Sequence, residues 1–206
     1  MKDYKKLTIE AYDRMAQNFS DTHFDSMYTS EFKKFTSLLK GNKVLEIGCG
    51  AGRDGELFIK NGYDYIGTDA SSEMLKIAQK RNPSGVFKQM DYYNLDFPAN
   101  TFDGFWASAS FLHVPKKDVS KLITEAKRIL KSGGVGFISV KERTGVDEGL
   151  IGQPIFGNIA RYFSFYSRGE FKDKLKEAGL EVVKITKIVE NDERKTLWFC
   201  YIVRKP

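Results

Sequence analysis

Cysteine and histidine are scarce in this chain, with two of each in 206 residues. Cys49 lies in a glycine-rich turn and Cys200 in a strongly apolar run. Neither falls in a metal-ligand or redox spacing, so the sequence predicts a reducing, cytoplasmic setting and no metal site. Long apolar runs are also missing. No window approaches the roughly 18 uninterrupted apolar residues of a membrane span, and no apolar stretch follows the basic start Met1-Lys2-Asp3-Tyr4-Lys5-Lys6, so neither membrane insertion nor secretion is expected. The five prolines and 18 glycines are scattered as punctuation, without repeats, low-complexity tracts or a linker. A chain of this length buries one substantial core, so a single domain over 1–206 is expected.

The composition, 41% hydrophobic, 14% aromatic and 29% charged, is that of an ordinary globular protein. The net charge of +6 raises the question of nucleic acid. Its lysines form no block, however. Lys116-Lys117, Lys121, Lys127 and Lys131 read as one solvated helix face, which disfavours nucleic acid as a partner.

From about Lys43 to Lys141 short β-rich runs alternate with helical patterns, the signature of βαβ units in a parallel sheet. Strands are predicted at 43–47, 63–67, 85–89, 102–107 and 135–140. A helix-like segment from Thr29 ends near Lys40-Gly41, and another runs from Arg53 to Gly62. Ser71 or Ser72 caps a third, with Glu73 in its first turn and Pro83 beyond its end. In the next, Pro115 suits the first position and Gly133-Gly134 the close, with Val119, Leu122, Ile123, Ala126, Ile129 and Leu130 at helical spacing. Residues 141–165 make a polar connection too long to be ordinary, of the kind that forms lids or binding loops. Ser167-Arg168-Gly169-Glu170 has the capping-box pattern, opening a helix that ends at Ala178-Gly179. Residues 180–189 and 196–203 then flank the turn Asn191-Asp192-Glu193 as a hairpin at the sheet edge.

A strand that ends in closely spaced glycines and enters a helix presents backbone N–H groups and the positive end of a helix dipole to a ligand. Here Gly48, Gly50 and Gly52 form G-x-G-x-G, while Gly50, Gly52 and Gly55 also satisfy the dinucleotide pattern G-x-G-x-x-G. Asp69, ending the second strand, suits a ribose in either case. Glu46 inside the first strand and Asp91 past the third tilt the balance away from a nicotinamide-dependent oxidoreductase.

These residues resemble the class I S-adenosylmethionine-dependent methyltransferases over nearly the whole chain. Residues 44–52 (VLEIGCGAG) look like the family's first motif, 66–71 (IGTDAS) like its ribose motif and 89–92 (QMDY) like its adenine segment. Residues 102–108 (FDGFWAS) resemble the fourth-strand motif, and 129–134 (ILKSGG) the turn into strand five. The resemblance implies a Rossmann-like, doubly wound, mostly parallel seven-stranded sheet with a C-terminal antiparallel hairpin. It implies an N-terminal helical cap over 1–41, a cofactor core over 42–141, and a lid, helix and hairpin over 142–206. It also implies S-adenosyl-L-methionine as cofactor, with S-adenosyl-L-homocysteine as product. Glu46 would sit near the methionine amino group and the Gly48, Cys49, Gly50 and Gly52 backbone against the methionine moiety. Arg53 would reach its carboxylate or cover the loop. Asp69 would hold the ribose and Asp91 the adenine amino group, with Ala70, Met74, Met90 and Tyr92 around the base and Ala107 beneath the sulfonium.

On the acceptor side the sequence is less informative. His113, after the fourth strand, is the best-placed titratable group, as a general base, an acceptor contact or a helix cap. His23 reads as surface. Residues 11–19 resemble the cap helix of small-molecule members, with Leu7, Ala11 and Met15 as a packing stripe. Tyr12 and Phe19 either close over the sulfonium or pack in the core. Arg143, Asp147, Glu148, Arg161, Tyr162 and Tyr166 suit an acceptor pocket or a surface loop. Residues 107–110 (ASAS) stand where methyltransferases of nucleic-acid base amines carry Asn/Asp-Pro-Pro-aromatic. A small-molecule acceptor is therefore expected, with a non-catalytic cofactor-binding module as the alternative.

Overall fold

The computed structural model describes residues 3–22, 28–190 and 195–206; His23 and the turn expected at 191–193 lie outside the described residues. Seven strands form one sheet in the order β3-β2-β1-β4-β5-β9-β8. β1 (Lys43–Ile47), β2 (Asp64–Asp69), β3 (Val86–Gln89), β4 (Phe102–Ala107) and β5 (Leu130–Lys141) run parallel. β9 (Leu197–Arg204) is antiparallel to β5, and β8 (Glu181–Val189) pairs with β9 at the edge. Chain direction across the sheet reverses between β1 and β4. Open α/β sheets hold ligands in the crevice at the carboxyl ends of the strands flanking such a switch point.

Alternation along the strands sorts the two layers. Leu45, Ile47, Phe105 and Ala107 face a core built with α5 (Val119–Ile129) and α6 (Arg168–Glu177). Val44 and Trp106 point the other way, into an aromatic core with α2 (Thr29–Thr36) and α3 (Arg53–Lys60), where Trp106 stacks on Phe137 at 3.7 Å between ring centroids. Glu46 is placed by that alternation on the aromatic side, two residues from Val44. α5 buries the Val119, Leu122, Ile123, Ala126 and Ile129 stripe that its spacing predicts. α4 (Ser72–Arg81) is capped by Ser71, whose Oγ accepts from the Met74 N–H at 3.1 Å.

Several boundaries differ from expectation. α5 starts at Val119, because Pro115 opens a separate turn whose carbonyl accepts from Asp118 and Val119 N–H. Gly133-Gly134 do not close it: Ile129 ends the helix, and Leu130 already pairs with Phe102 in β5, with Gly133 at φ +75° inside an irregular ladder. Lys131 is therefore on a strand. Lys116, before the helix, is not part of a solvated face, since it pairs with Asp147 at 3.0 Å and Glu170 at 2.8 Å. The long connection is itself folded, as β6 (Glu148–Ile151) pairs antiparallel with β7 (Arg161–Ser164) around a short 3₁₀ turn, Pro154–Phe156. All four β7 residues are buried, so no polar alternation marked it in the sequence.

α1 (Tyr4–Thr22) lies over the switch point, packed on α4 and β7. Leu7 is 37% exposed and stands outside the buried stripe, which Thr8 joins instead because its Oγ1 accepts from the Tyr162 N–H at 3.0 Å.

The capping box of α6 is complete, with Ser167 Oγ accepting from Glu170 N–H and Glu170 Oε2 from Ser167 N–H. Ser167→Ala should lower unfolding free energy by about 1 kcal/mol, read from the urea midpoint, and leave ligand affinity unchanged because α6 lies behind the sheet from the crevice.

Candidate active site

The glycine loop is held by the tip of β2. Gly48 and Cys49 N–H both donate to the Thr68 carbonyl, at 2.8 and 2.9 Å. Gly48, Gly50 and Gly52 have φ of +76°, +51° and +79°, a region that disfavours other residues. A Cβ at Gly48 would lie 2.5 Å from Ser110 Cβ, whereas Gly50 faces open space. The Gly50 N–H donates to Asp69 Oδ2 at 2.8 Å and the Ser71 N–H to Oδ1 at 2.9 Å. Desolvation in the crevice raises the Asp69 pKa, and those N–H groups oppose it. The carboxylate faces the cavity with two oxygens, the arrangement that a vicinal diol can donate to.

Beneath the loop is a buried polar network. Glu46, 2% exposed, accepts from Tyr65 Oη at 2.5 Å. Burial, then the Asp54 carboxylate, pushes its pKa well above the usual range. Asp54 accepts from Arg53 Nε at 2.7 Å and Trp106 Nε1 at 2.8 Å. Burial would raise its pKa, but the Arg53 guanidinium and these donors hold it below the ordinary value. Arg53 also reaches Ser108 Oγ at 3.3 Å.

The far wall comes from α1, the segment after β4, and β7. His113 Nδ1 lies 2.7 Å from the Tyr162 carbonyl, which only accepts, so Nδ1 carries the hydrogen. Nε2 is then an acceptor, and the Tyr12 hydroxyl donates a hydrogen bond to it at 2.7 Å. The Tyr12 oxygen in turn accepts from Arg161 Nη1 at 3.0 Å. Burial, then the Arg161 charge, lowers the His113 pKa to about 3.

One cavity joins these parts. Among its walls are thirteen residues singled out above from sequence: Tyr12, Phe19, Glu46, Gly48, Cys49, Gly50, Arg53, Asp69, Ala70, Met74, Tyr92, His113 and Arg161. The others fall outside. Gly52 stands one step back as the N-terminal cap of α3, against Ala78 and Asn82. Met90 packs on the α5-side core, its sulfur accepting from Asp96 N–H. Asp91 is bridged to Lys5 of α1 and accepts from Tyr93 N–H. Ala107 alternates into the α5-side core, leaving Ser108, Ala109 and Ser110 to face the cavity. Arg143 is exposed and paired with Asp147 at 2.6 Å. Tyr166 is fully buried against Phe171. A base role for His113 is also disfavoured, because its lone pair is occupied and its basicity is low.

The sequence reading missed Asp54, Lys141, Gln153, Phe163 and Trp198, which line or support the same cavity. Only Asp54 had a local signal, as an acidic residue in the first turn of a helix. Lys141, Phe163 and Trp198 meet through β5, β7 and β9, and Gln153 comes from the β6–β7 connection.

His113 also makes stability depend on pH. Unfolded, an imidazole takes up its proton near 6.5, but here only near 3. In between, the unfolded chain binds more protons, so this stabilisation is complete above about pH 6.5 and falls by about 1.4 kcal/mol per pH unit below it. His113→Gln should accordingly lose less stability than wild type between pH 7 and pH 5 in urea titrations. Equal losses would mean that His113 protonates freely in the folded state.

Residues 44–134 match the family described as methyltransferase domain. The chain is 30% identical over 192 residues to an uncharacterised protein of Methanocaldococcus jannaschii, covering 88% of this chain and 86% of that one. It is 28% identical over 165 residues to methyltransferase GfsG of Streptomyces halstedii, covering 73% of this chain but only 56% of that relative. The solved structure of 1,6-didemethyltoxoflavin-N1-methyltransferase of Burkholderia thailandensis, with bound 1,6-didemethyltoxoflavin and S-adenosylhomocysteine, shares the fold. Its TM-score is 0.79 at 19% identity, over 98% of this chain and 89% of that one. Gly55, the glycine that completes the dinucleotide pattern, lies where a Cβ would meet the Tyr65 hydroxyl at 2.5 Å, a packing demand that identifies no ligand. The comparisons decide for S-adenosylmethionine over a nicotinamide, and the chain belongs to the class I S-adenosylmethionine-dependent methyltransferases.

Proposed function

We propose that this chain transfers the methyl group of S-adenosylmethionine to a small-molecule acceptor held between α1 and the β6–β7 hairpin, in a reducing, cytoplasmic setting. The observation that carries this reading is the single cavity bounded at one end by the glycine loop and Asp69 and at the other by His113, Gln153, Arg161 and Phe163. Donor and acceptor would thus share one cavity.

The residues present fit the donor. Glu46 is a buried carboxyl with a raised pKa, and a neighbouring ammonium would restore its charge. Arg53 supplies a cation for a carboxylate, and Asp69 two acceptor oxygens for a ribose. Met74 and Tyr92 offer apolar and aromatic surface for the base. The bound donor supplies an activated methyl on a sulfonium, leaving the protein to align the acceptor and exclude water. Tyr12 and Phe19 serve that exclusion by closing α1 over the crevice, with aromatic faces favourable to a cation. His113 positions Tyr12 through Nε2 and leaves the proton on the hydroxyl. An acceptor with its own lone pair suits this site, because the nearby imidazole is a weak base.

Asp69→Ala should weaken S-adenosylhomocysteine binding by about tenfold or more in calorimetry, with the fold retained by circular dichroism. Wild type should be stabilised against heat by S-adenosylhomocysteine and not by NAD. Isotope-labelled S-adenosylmethionine, incubated with the protein and an extract freed of macromolecules, should label a small product. Label found only in the macromolecular fraction would refute a small-molecule acceptor.

A further inference from the structure

Among the described residues, Arg161 is a buried cation without an acidic partner. It is 2% exposed and lines the cavity. No carboxylate among the described residues forms an ion pair with it. Its hydrogen bonds go to neutral groups, the Tyr12 hydroxyl and the Gln153 side-chain oxygen, and Nε has no partner. Four rings, Tyr12, Phe19, Phe156 and Phe163, surround the guanidinium at 5.1 to 5.8 Å.

A guanidinium does not shed its proton to escape burial, and aromatic faces and neutral acceptors offset only part of its lost hydration. The carboxylate that faces this end of the cavity, Glu190, accepts from Trp198 Nε1 at 3.1 Å instead. A bound methyl donor would add a sulfonium charge to the cavity, and Arg53, which lines it beside the glycine loop, is the cation that would hold the donor's carboxylate. The buried charge of Arg161 therefore meets no carboxylate partner among the described residues.

From this we propose that the methyl acceptor is a small molecule bearing a compact oxyanion, a carboxylate or a phosphate ester, which pairs with Arg161. The inference rests on the methyl-transfer reading above and adds the charge of the acceptor. The planar fork of Arg161 suits such a group, and a charge-assisted pair is stronger than the amide contact with Gln153 that it would join or replace. The oxyanion anchors the acceptor away from the reacting atom and neutralises the field that opposes a second cation.

The test fractionates the acceptor rather than relying on a variant alone. A macromolecule-free cell extract is passed through an anion exchanger at neutral pH, and the retained and flow-through pools are each incubated with wild-type protein and methyl-labelled S-adenosylmethionine. Label should enter the retained pool only. Alkaline phosphatase treatment of that pool abolishes labelling if the group is a phosphate ester and spares it if it is a carboxylate. Arg161→Gln should lower the labelling rate by about tenfold or more while S-adenosylhomocysteine affinity, measured by calorimetry, changes by less than about threefold. Label in the flow-through pool overturns the proposal. So does an equal loss of S-adenosylhomocysteine affinity in Arg161→Gln, which would place the guanidinium on the cofactor or in the fold. Label in neither pool, from protein that binds S-adenosylhomocysteine, refutes the methyl-transfer reading and this inference with it.

Discussion

The Tyr12 hydroxyl is the joint on which the site depends. It donates to His113 Nε2 and accepts from Arg161 Nη1, so one oxygen ties α1 to the segment after β4 and to β7. Remove it, and a histidine acceptor and a guanidinium donor are left unpaired in a buried place, where each orphaned polar group costs roughly 1–3 kcal/mol. The rest of α1 is fastened around this joint. Thr8 accepts from Tyr162 N–H, and Asp13 accepts from Ser71 Oγ at 2.7 Å and Glu73 N–H at 3.2 Å, beside the positive end of α4. The cap helix is therefore held by polar contacts at three successive levels. The Asp91–Lys5 bridge adds a fourth at its first turn, with both groups partly exposed and so contributing less.

Charge is distributed along the cavity in a way that matches two different occupants. At the loop end, Glu46, Asp54 and Asp69 stand with one cation, Arg53, which pairs with Asp54 and also lines the cavity. At the hairpin end, Arg161 is buried with only neutral hydrogen-bond partners among the described residues. Low dielectric enlarges such differences, since a pair that interacts weakly in water interacts several-fold more strongly away from it. The loop end favours a ligand with cationic and hydroxyl groups. The hairpin end favours an anion.

Several site residues could be named from sequence because their roles are local. Gly48, Gly50 and Gly52 need positive φ within a strand-to-helix turn, and Asp69 ends the next strand, so short-range spacing carries their placement. Met90 and Ala107 sit within comparable motifs but face away, because the side chain's direction along a strand is set by which layer packs on which face. Arg143 and Arg161 are the sharpest contrast. Both are arginines of one polar connection, yet one is a surface partner of Asp147 and the other is buried under four rings. The fold of that connection separates them: β7 pairs with β6 and slides beneath α1, while Arg143 precedes both.

By itself, then, the sequence determined the parallel core, the order of its strands and helices, and the glycine loop with Glu46 and Asp69. Each of these follows from periodicity, capping and turn chemistry acting over a few residues. Tertiary structure alone decided that His113 is a neutral acceptor rather than a free base, that Asp91 is latched to α1, and that Arg161 is buried with no carboxylate partner among the described residues. Those properties arise from groups 49 to 149 positions apart meeting across the crevice, as His113 meets Tyr162, Lys5 meets Asp91 and Tyr12 meets Arg161. Burial and hydrogen-bond partnership, which set both charge state and availability, exist only once those distant segments have packed together.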